Sequence, residues 1–202
     1  MQYARPYLRM AKQSHRAVIL SKGMEVMHRQ GYNGTSVRDI VRAAGVPQGS
    51  FTNHFASKEV FALEALDLYY ARSCKMMRET LGNEALSPLS RIRAYVEAYR
   101  SFFRQHGCQH GCLCGNFAAE ASDQSEPLRK RNAEIFEEIQ RRIVDCLKAA
   151  VKAGEVSRPM KYDEVASFII GGLQGALLLG KSGRSLLPLD QFERILFAQV
   201  LR

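Results

Sequence analysis

Apolar residues recur at helical spacing along almost the whole chain. Ile19, Leu20, Gly23, Val26 and Met27 fall on one face of a helix predicted from about Ala11 to His28. Gly31-Tyr32-Asn33-Gly34 ends it, because glycine and asparagine tolerate positive φ. A second helix opens at Thr35-Ser36, where Ser36 and Asp39 have the spacing of a capping box, and Val37, Ile40, Val41 and Ala44 form its apolar face. Gly45 stops it. Pro47 starts a third, very short helix, with Phe51 and Phe55 as its inward anchors. Ser57 and Glu59 open a long amphipathic helix that runs to about Leu81. Further helices are predicted near Leu89–His106, Gly115–Ala121, Pro127–Ala153, Asp163–Gly180 and Leu189–Leu201, separated by glycine- and proline-bearing breaks. No segment reads as a strand, and the fold class is all-α.

Composition narrows the class. A hydrophobic content of 46% allows a real core. The formal charge of +9 is concentrated at one end: residues 1–60 hold nine Lys/Arg against three acids, and the other 142 hold 20 against 17. Such a bias suits nucleic acid or an anionic surface. The expectation is a soluble, cytoplasmic protein. Residues 1–16 carry base without the apolar run of a signal peptide, and Val165–Gly180 contains Gln174 and is short for a bilayer. Five cysteines without a secretory context do not suggest a disulfide framework.

Thr35 to Phe55 has the layout of a helix-turn-helix. Gly45 supplies the sharp bend, and Ile40, Ala44, Val46 and Phe51 supply the packing between the two helices. Gln48, Ser50, Thr52, Asn53 and His54 give a polar face with no acid to repel phosphate. A plain pair of capped helices would satisfy the same pattern. The segments Gly31-Tyr32-Asn33-Gly34-Thr35-Ser36-Val37-Arg38-Asp39-Ile40, Ala43-Ala44-Gly45-Val46-Pro47-Gln48-Gly49-Ser50-Phe51 and His54-Phe55-Ala56-Ser57-Lys58-Glu59 strongly resemble the DNA-binding domain of the TetR family of repressors. The resemblance covers about residues 12–72, leaving 73–202 as a regulatory and dimerising domain. It implies about nine helices, an obligate homodimer, and binding to a palindromic double-stranded operator that an effector relieves. It also implies that Thr35, Ser36, Gln48, Gly49, Ser50, Thr52, Asn53 and His54 approach DNA, with Gln48 and Asn53 at base edges and Lys58 on a phosphate. Arg38 and Arg42 either join them or solvate an outer face. Arg5 and Arg9 belong to an arm that either enters a minor groove or stays disordered. The chain departs from the family at Thr52, where an aromatic residue, mostly Tyr, usually touches a phosphate.

The segment His106–Gly115 holds Cys108, Cys112 and Cys114 with His106 and His110. A metal site, a reactive thiol switch and buried small hydrophobes are the three readings. The spacing matches no common zinc pattern, so no metal is assigned. Cys112 and Cys114 precede a predicted helix start, where a thiolate is favoured. Gly111-Cys112-Leu113, Ala119–Glu126 and Arg129 resemble an electrophile-responsive subgroup of the same family, which includes the repressor of N-ethylmaleimide reductase. That likeness implies Cys112 as the sensing thiol, with Cys108 or Cys114 as a resolving partner. Cys74 and Cys146 read as core.

The competing sensor is a reversible small-molecule pocket lined by Tyr69, Tyr95, Tyr99, Phe102, Phe103 and Phe117, residues whose helical spacing also suits plain core. A dimer interface is expected from the last two helices, through Ile169, Gly172, Gly175, Ala176, Phe192, Ile195 and Leu196. Two other classes compete with the repressor: a thiol enzyme using Cys112 with His106 or His110 as base, and a DNA-binding protein with no effector. No cofactor is implied.

Overall fold

A computed structural model describes residues 14–157 and 160–202. The expected arm with Arg5 and Arg9, and the predicted helix start at Ala11, lie outside these. Within them the chain is all-α, and the helices are α1 His15–Gln30, α2 Val37–Ala44, α3 Gly49–Thr52, α4 Lys58–Glu79, α5 Pro88–Gln105, α6 Leu113–Glu120, α7 Glu126–Lys152, α8 Tyr162–Gly183 and α9 Leu187–Ile195. The last continues into a π-helical turn over Leu196–Val200.

The signals written in the sequence form as local chemistry requires. Ser36 and Asp39 cap each other across the start of α2, with Asp39 N–H to Ser36 Oγ at 3.2 Å and Ser36 N–H to Asp39 Oδ2 at 3.0 Å. Gly45 ends α2 with φ +65° in open space, so its role is conformational. Phe51, Phe55 and Phe61 then close a ring cluster with centroids 5.0–5.5 Å apart, which seats the tiny α3 on α1 and α4.

Helix α1 is the hub of the N-terminal part. Ile19, Met24, Val26 and Met27 are buried, and Gly23 lies where a Cβ would overlap Phe61 of α4 and Ile40 of α2. Helix α4 runs unbroken from the N-terminal part into the body, where α5, α7, α8 and α9 enclose Ile92, Val96, Ile139, Ile143, Leu147, Ile169 and Leu173.

Several helix boundaries shift by a few residues from expectation, and two of them bear on the site. Helix α6 starts at Leu113 rather than Gly115, because Cys112 C=O already accepts the Asn116 N–H (2.9 Å); Cys112 is therefore its N-cap. Helix α8 is longer than read, at 22 residues, and it is the one helix among the described residues long and apolar enough to cross a membrane by length and composition. One of its faces is buried against its own chain through Ala166, Ile169, Leu173, Ala176, Leu177 and Gly180.

Replacing Gly23 with Ala forces Phe61 or Ile40 aside, and should lower stability by about 1–3 kcal/mol in a denaturant titration. A melt unchanged from the parent would refute this close packing.

Candidate DNA-binding surface and sensing site

Capping and core packing decide which polar groups reach the surface of the helix-turn-helix. Phe51 faces inward, so Gln48, Gly49, Thr52, Asn53 and His54 are exposed and Ser50 is partly so. Ser36 and Arg38 are exposed beside them. Thr35 does not belong to this surface: it is 1% exposed, and its hydroxyl donates to Gly31 C=O at 2.7 Å, tying off the turn before α2. Thr52 keeps its hydroxyl proton on Gly49 C=O (3.0 Å), so it offers outside only an acceptor and cannot donate to a phosphate in this rotamer. The Lys58 ammonium sits 4.4 Å from the centroid of the Tyr32 ring, and partial burial lowers its pKa against the opposing pull of Glu120. Arg42 faces Asp39 at 3.9 Å on the outer side of α2.

The cysteine-bearing loop is wound tightly. Gly107, Cys108 and Gly111 all have positive φ, between 56° and 68°. This turn delivers Cys112 to the start of α6 with only 4% of its surface exposed. Its sulfur accepts from the Tyr69 hydroxyl at 3.7 Å, and the Cys114 thiol, the Gly115 N–H and the Gln174 amide also face it. The Cys114 bond, the Gly115 amide, Tyr69 and Gln174 together outweigh burial and hold the Cys112 pKa below the ordinary thiol range. Cys114 is pushed up, because its proton is held in the bond to Cys112 and it is itself buried. Cys114 is thus a donor to the thiolate, not a second nucleophile at rest. The Tyr69 pKa is raised, chiefly by burial and then by the two sulfurs, which keeps its proton on the hydroxyl as a donor. Among the described residues no bond joins Cys108 to this pair; its carbonyl accepts from Arg184 at 3.2 Å. Among the described residues neither His106 nor His110 bonds Cys112; the groups that face the thiol are donors. Cys146 is core, with its S–H on Leu81 C=O at 3.3 Å.

A cavity of about 450 Å³ lies between α1, α4, α5 and this loop. Tyr69, Tyr99 and Phe102 line it as expected from the sequence. Tyr95, Phe103 and Phe117 do not: they are at most 2% exposed and face core, Tyr95 against Tyr99 and Phe117 against Tyr32. His28, which sequence reading missed, stands at the cavity wall. It stacks on Phe102 (5.7 Å, 9°), meets Tyr69 edge-on (5.1 Å) and bonds Gly111 C=O at 3.0 Å. Burial is the main cause that drops its pKa to about 4, so it is neutral at pH 7.

Helix α6 joins this site to the N-terminal helices. Asn116 Nδ2 reaches His110 C=O (3.2 Å) and His28 C=O (3.4 Å), while Asn132 holds Cys114 C=O at 2.9 Å. At the far end the Glu120 carboxylate accepts the Asn33 N–H at 3.1 Å, and it packs on Gly31 where a Cβ would collide with it.

The expected dimer residues divide by helix face. Ile169, Ala176 and Leu196 are buried inside their own chain, and Gly172 is filled by the Phe192 ring of α9. Only Gly175, with open space around it, and the exposed Ile195 point outward, next to exposed Phe168, Leu178 and Leu179. A helix that is apolar on most sides does not tell from sequence which side meets its own core.

Residues 19–65 match the family described as bacterial regulatory proteins, tetR family, and residues 88–196 match the tetracyclin repressor-like C-terminal domain. The chain is 34% identical to the HTH-type transcriptional repressor DhaR of Mycobacterium sp. (strain GP1), over 95% of each. It is 32% identical to the transcriptional regulator AcuR of Cereibacter sphaeroides, over 91% of this chain and 84% of that one. The crystal structure of E. coli NemR in its reduced form superposes with a TM-score of 0.80 at 28% identity, covering 88% of this chain and 92% of that one.

A lowered thiol pKa has a kinetic signature. Labelling of Cys112 by N-ethylmaleimide, followed by mass spectrometry, should hold near its plateau from pH 8.5 to 7, where an ordinary thiol slows about tenfold per unit below its pKa. Tyr69→Phe removes a donor to the thiolate and should shift the decline to higher pH. A wild-type rate that falls tenfold per unit over this range would contradict the assignment.

Proposed function

The chain belongs to the tetR family of bacterial regulatory proteins, and on that premise we propose that it is a homodimeric transcriptional repressor acting in the cytoplasm. It is released from a palindromic operator by an effector in the α1–α4–α5 cavity or by modification of Cys112. The observation that carries the DNA-binding half is the acid-free exposed face of α3, seated by Phe51 and Phe55 behind the Gly45 turn. Gln48 and Asn53 read base edges; Ser36 and Arg38 position the backbone. The exposed apolar residues Phe168, Leu178, Leu179 and Ile195 support two-fold pairing through α8 and α9.

The switching half rests on α6. Cys112 caps its start and Glu120 holds the Gly31–Asn33 turn at its end, about 12 Å away for eight residues. An adduct at Cys112 displaces Tyr69 and the capping donors, so α6 and the wall of α1 cannot both keep their seats. The protein then shifts toward a state with a different spacing of recognition helices, by as much as the two states differ in affinity.

A mobility-shift assay on DNA flanking the gene tests this. Specific binding should be abolished by N-ethylmaleimide in the wild type and should resist it in Cys112→Ser. Binding that ignores the reagent in both would discard the thiol route and leave the cavity as the sensor.

Gly49 separates DNA contact from folding. A Cβ there meets nothing within 4 Å of its own protein. Gly49→Ala should leave stability equal or raise it by up to about 1 kcal/mol, while weakening operator binding tenfold or more. Unchanged affinity would show that α3 does not approach DNA this closely.

A further inference from the structure

The cavity carries an unbalanced set of charges. Arg29 and Arg72 stand at its exposed rim, and His106 and His110 at the loop side. Its one acid, Glu25, is bonded to Lys22 at 3.1 Å. Among the described residues neither arginine has an ion pair; Arg72 is bonded only to the Ser21 hydroxyl at 3.1 Å. After burial, His106, Arg29 and Lys181 are what lower the proton affinity of His110. On His28, burial is the largest cause, and His110, His106 and Lys181 lower the pKa further. The excess positive charge at the rim is therefore that of the two arginines, and an anion seated between them would offset it.

The remaining wall is apolar: Met24, Met76, Ala98, Tyr99 and Phe102. Helices α1 and α5 both present their C-terminal turns here, through His28, Arg29 and Phe102, so both helix dipoles oppose an anion, less for a single charge than for a dianion such as a phosphate ester, and the attraction for a carboxylate has to come from the arginine side chains. The volume suits a small molecule rather than a large conjugate.

We propose that this cavity binds small monoanionic amphipaths, organic carboxylates whose acid group sits among Arg29, Arg72, His106 and His110 and whose hydrocarbon part lies on Met24, Met76 and Phe102. This rests on reading the cavity as the effector site and names the ligand class for it. Because α1 forms one wall and also carries α2 and α3, occupancy acts on the DNA-binding helices directly.

The test uses the full chain, with octanoate, octanamide and octylamine as probes of one tail and three head-group charges. Calorimetry and thermal melts should show saturable binding of octanoate, at least tenfold tighter than octanamide, and octylamine weaker still. Octanoate should also release operator DNA. In Arg72→Gln/His110→Gln, checked for retained operator binding, the preference for acid over amide should collapse toward unity. Equal or tighter binding of octanamide or octylamine overturns the charge assignment, and if that ligand releases DNA the effector-site reading still stands. An undiminished acid preference in the folded double variant also overturns it. Failure of all three to bind overturns both the ligand class and the effector-site reading, while release by N-ethylmaleimide through Cys112 would be unaffected.

Discussion

The close approach of α1 to α2 and α4 at Gly23 is the constraint on which the rest of the molecule depends. With no side chain at that position, Phe61 and Ile40 press directly on the helix backbone. The three N-terminal helices then form a rigid unit, held further by the Phe51–Phe55–Phe61 cluster. Interiors packed this densely do not deform smoothly. Any force on α1 is therefore passed to α2 and α3 as a whole-body displacement. The end of α1 is where such force can be applied, since His28 enters the body between Tyr69 and Phe102.

The two sensing features share one wall. Tyr69 lines the cavity with its ring and donates its hydroxyl to Cys112 behind it. A ligand that moves Tyr69 alters the thiol, and a modified thiol alters the cavity. The competition at Cys112 is decided by number: burial opposes the thiolate, yet four donors converge on one sulfur. An unpaired charge there would be costly; a fully bonded one is not.

Much of this was legible in the sequence where the signal is local. The Ser36–Asp39 capping box, the Gly45 turn, the Phe51 and Phe55 anchors and the helical breaks all follow from nearest-neighbour chemistry. Residues whose role depends on packing were misplaced or missed. Thr35 looked like a surface hydroxyl, yet its bond to Gly31 turns it inward. Ile169 and Ala176 looked like interface because α8 is apolar nearly all round, and Leu196 because it lies on the apolar stripe of the last helix. Gln174, an amide within an apolar run, was a visible clue to a buried polar partner, and that partner proved to be Cys112. Glu120 and His28 carried no clue, because their bonds span more than 80 residues of sequence.

The burial of Cys112 also sets how the molecule would read time. Only 4% of the residue is exposed, and Tyr69 stands between it and the cavity. A reagent must wait for that ring to swing away, so the frequency of this opening is a ceiling common to every attacking molecule. Fast and slow electrophiles would then be registered at more similar speeds than their chemistry in free solution dictates, and brief exposures shorter than the waiting time would pass unrecorded.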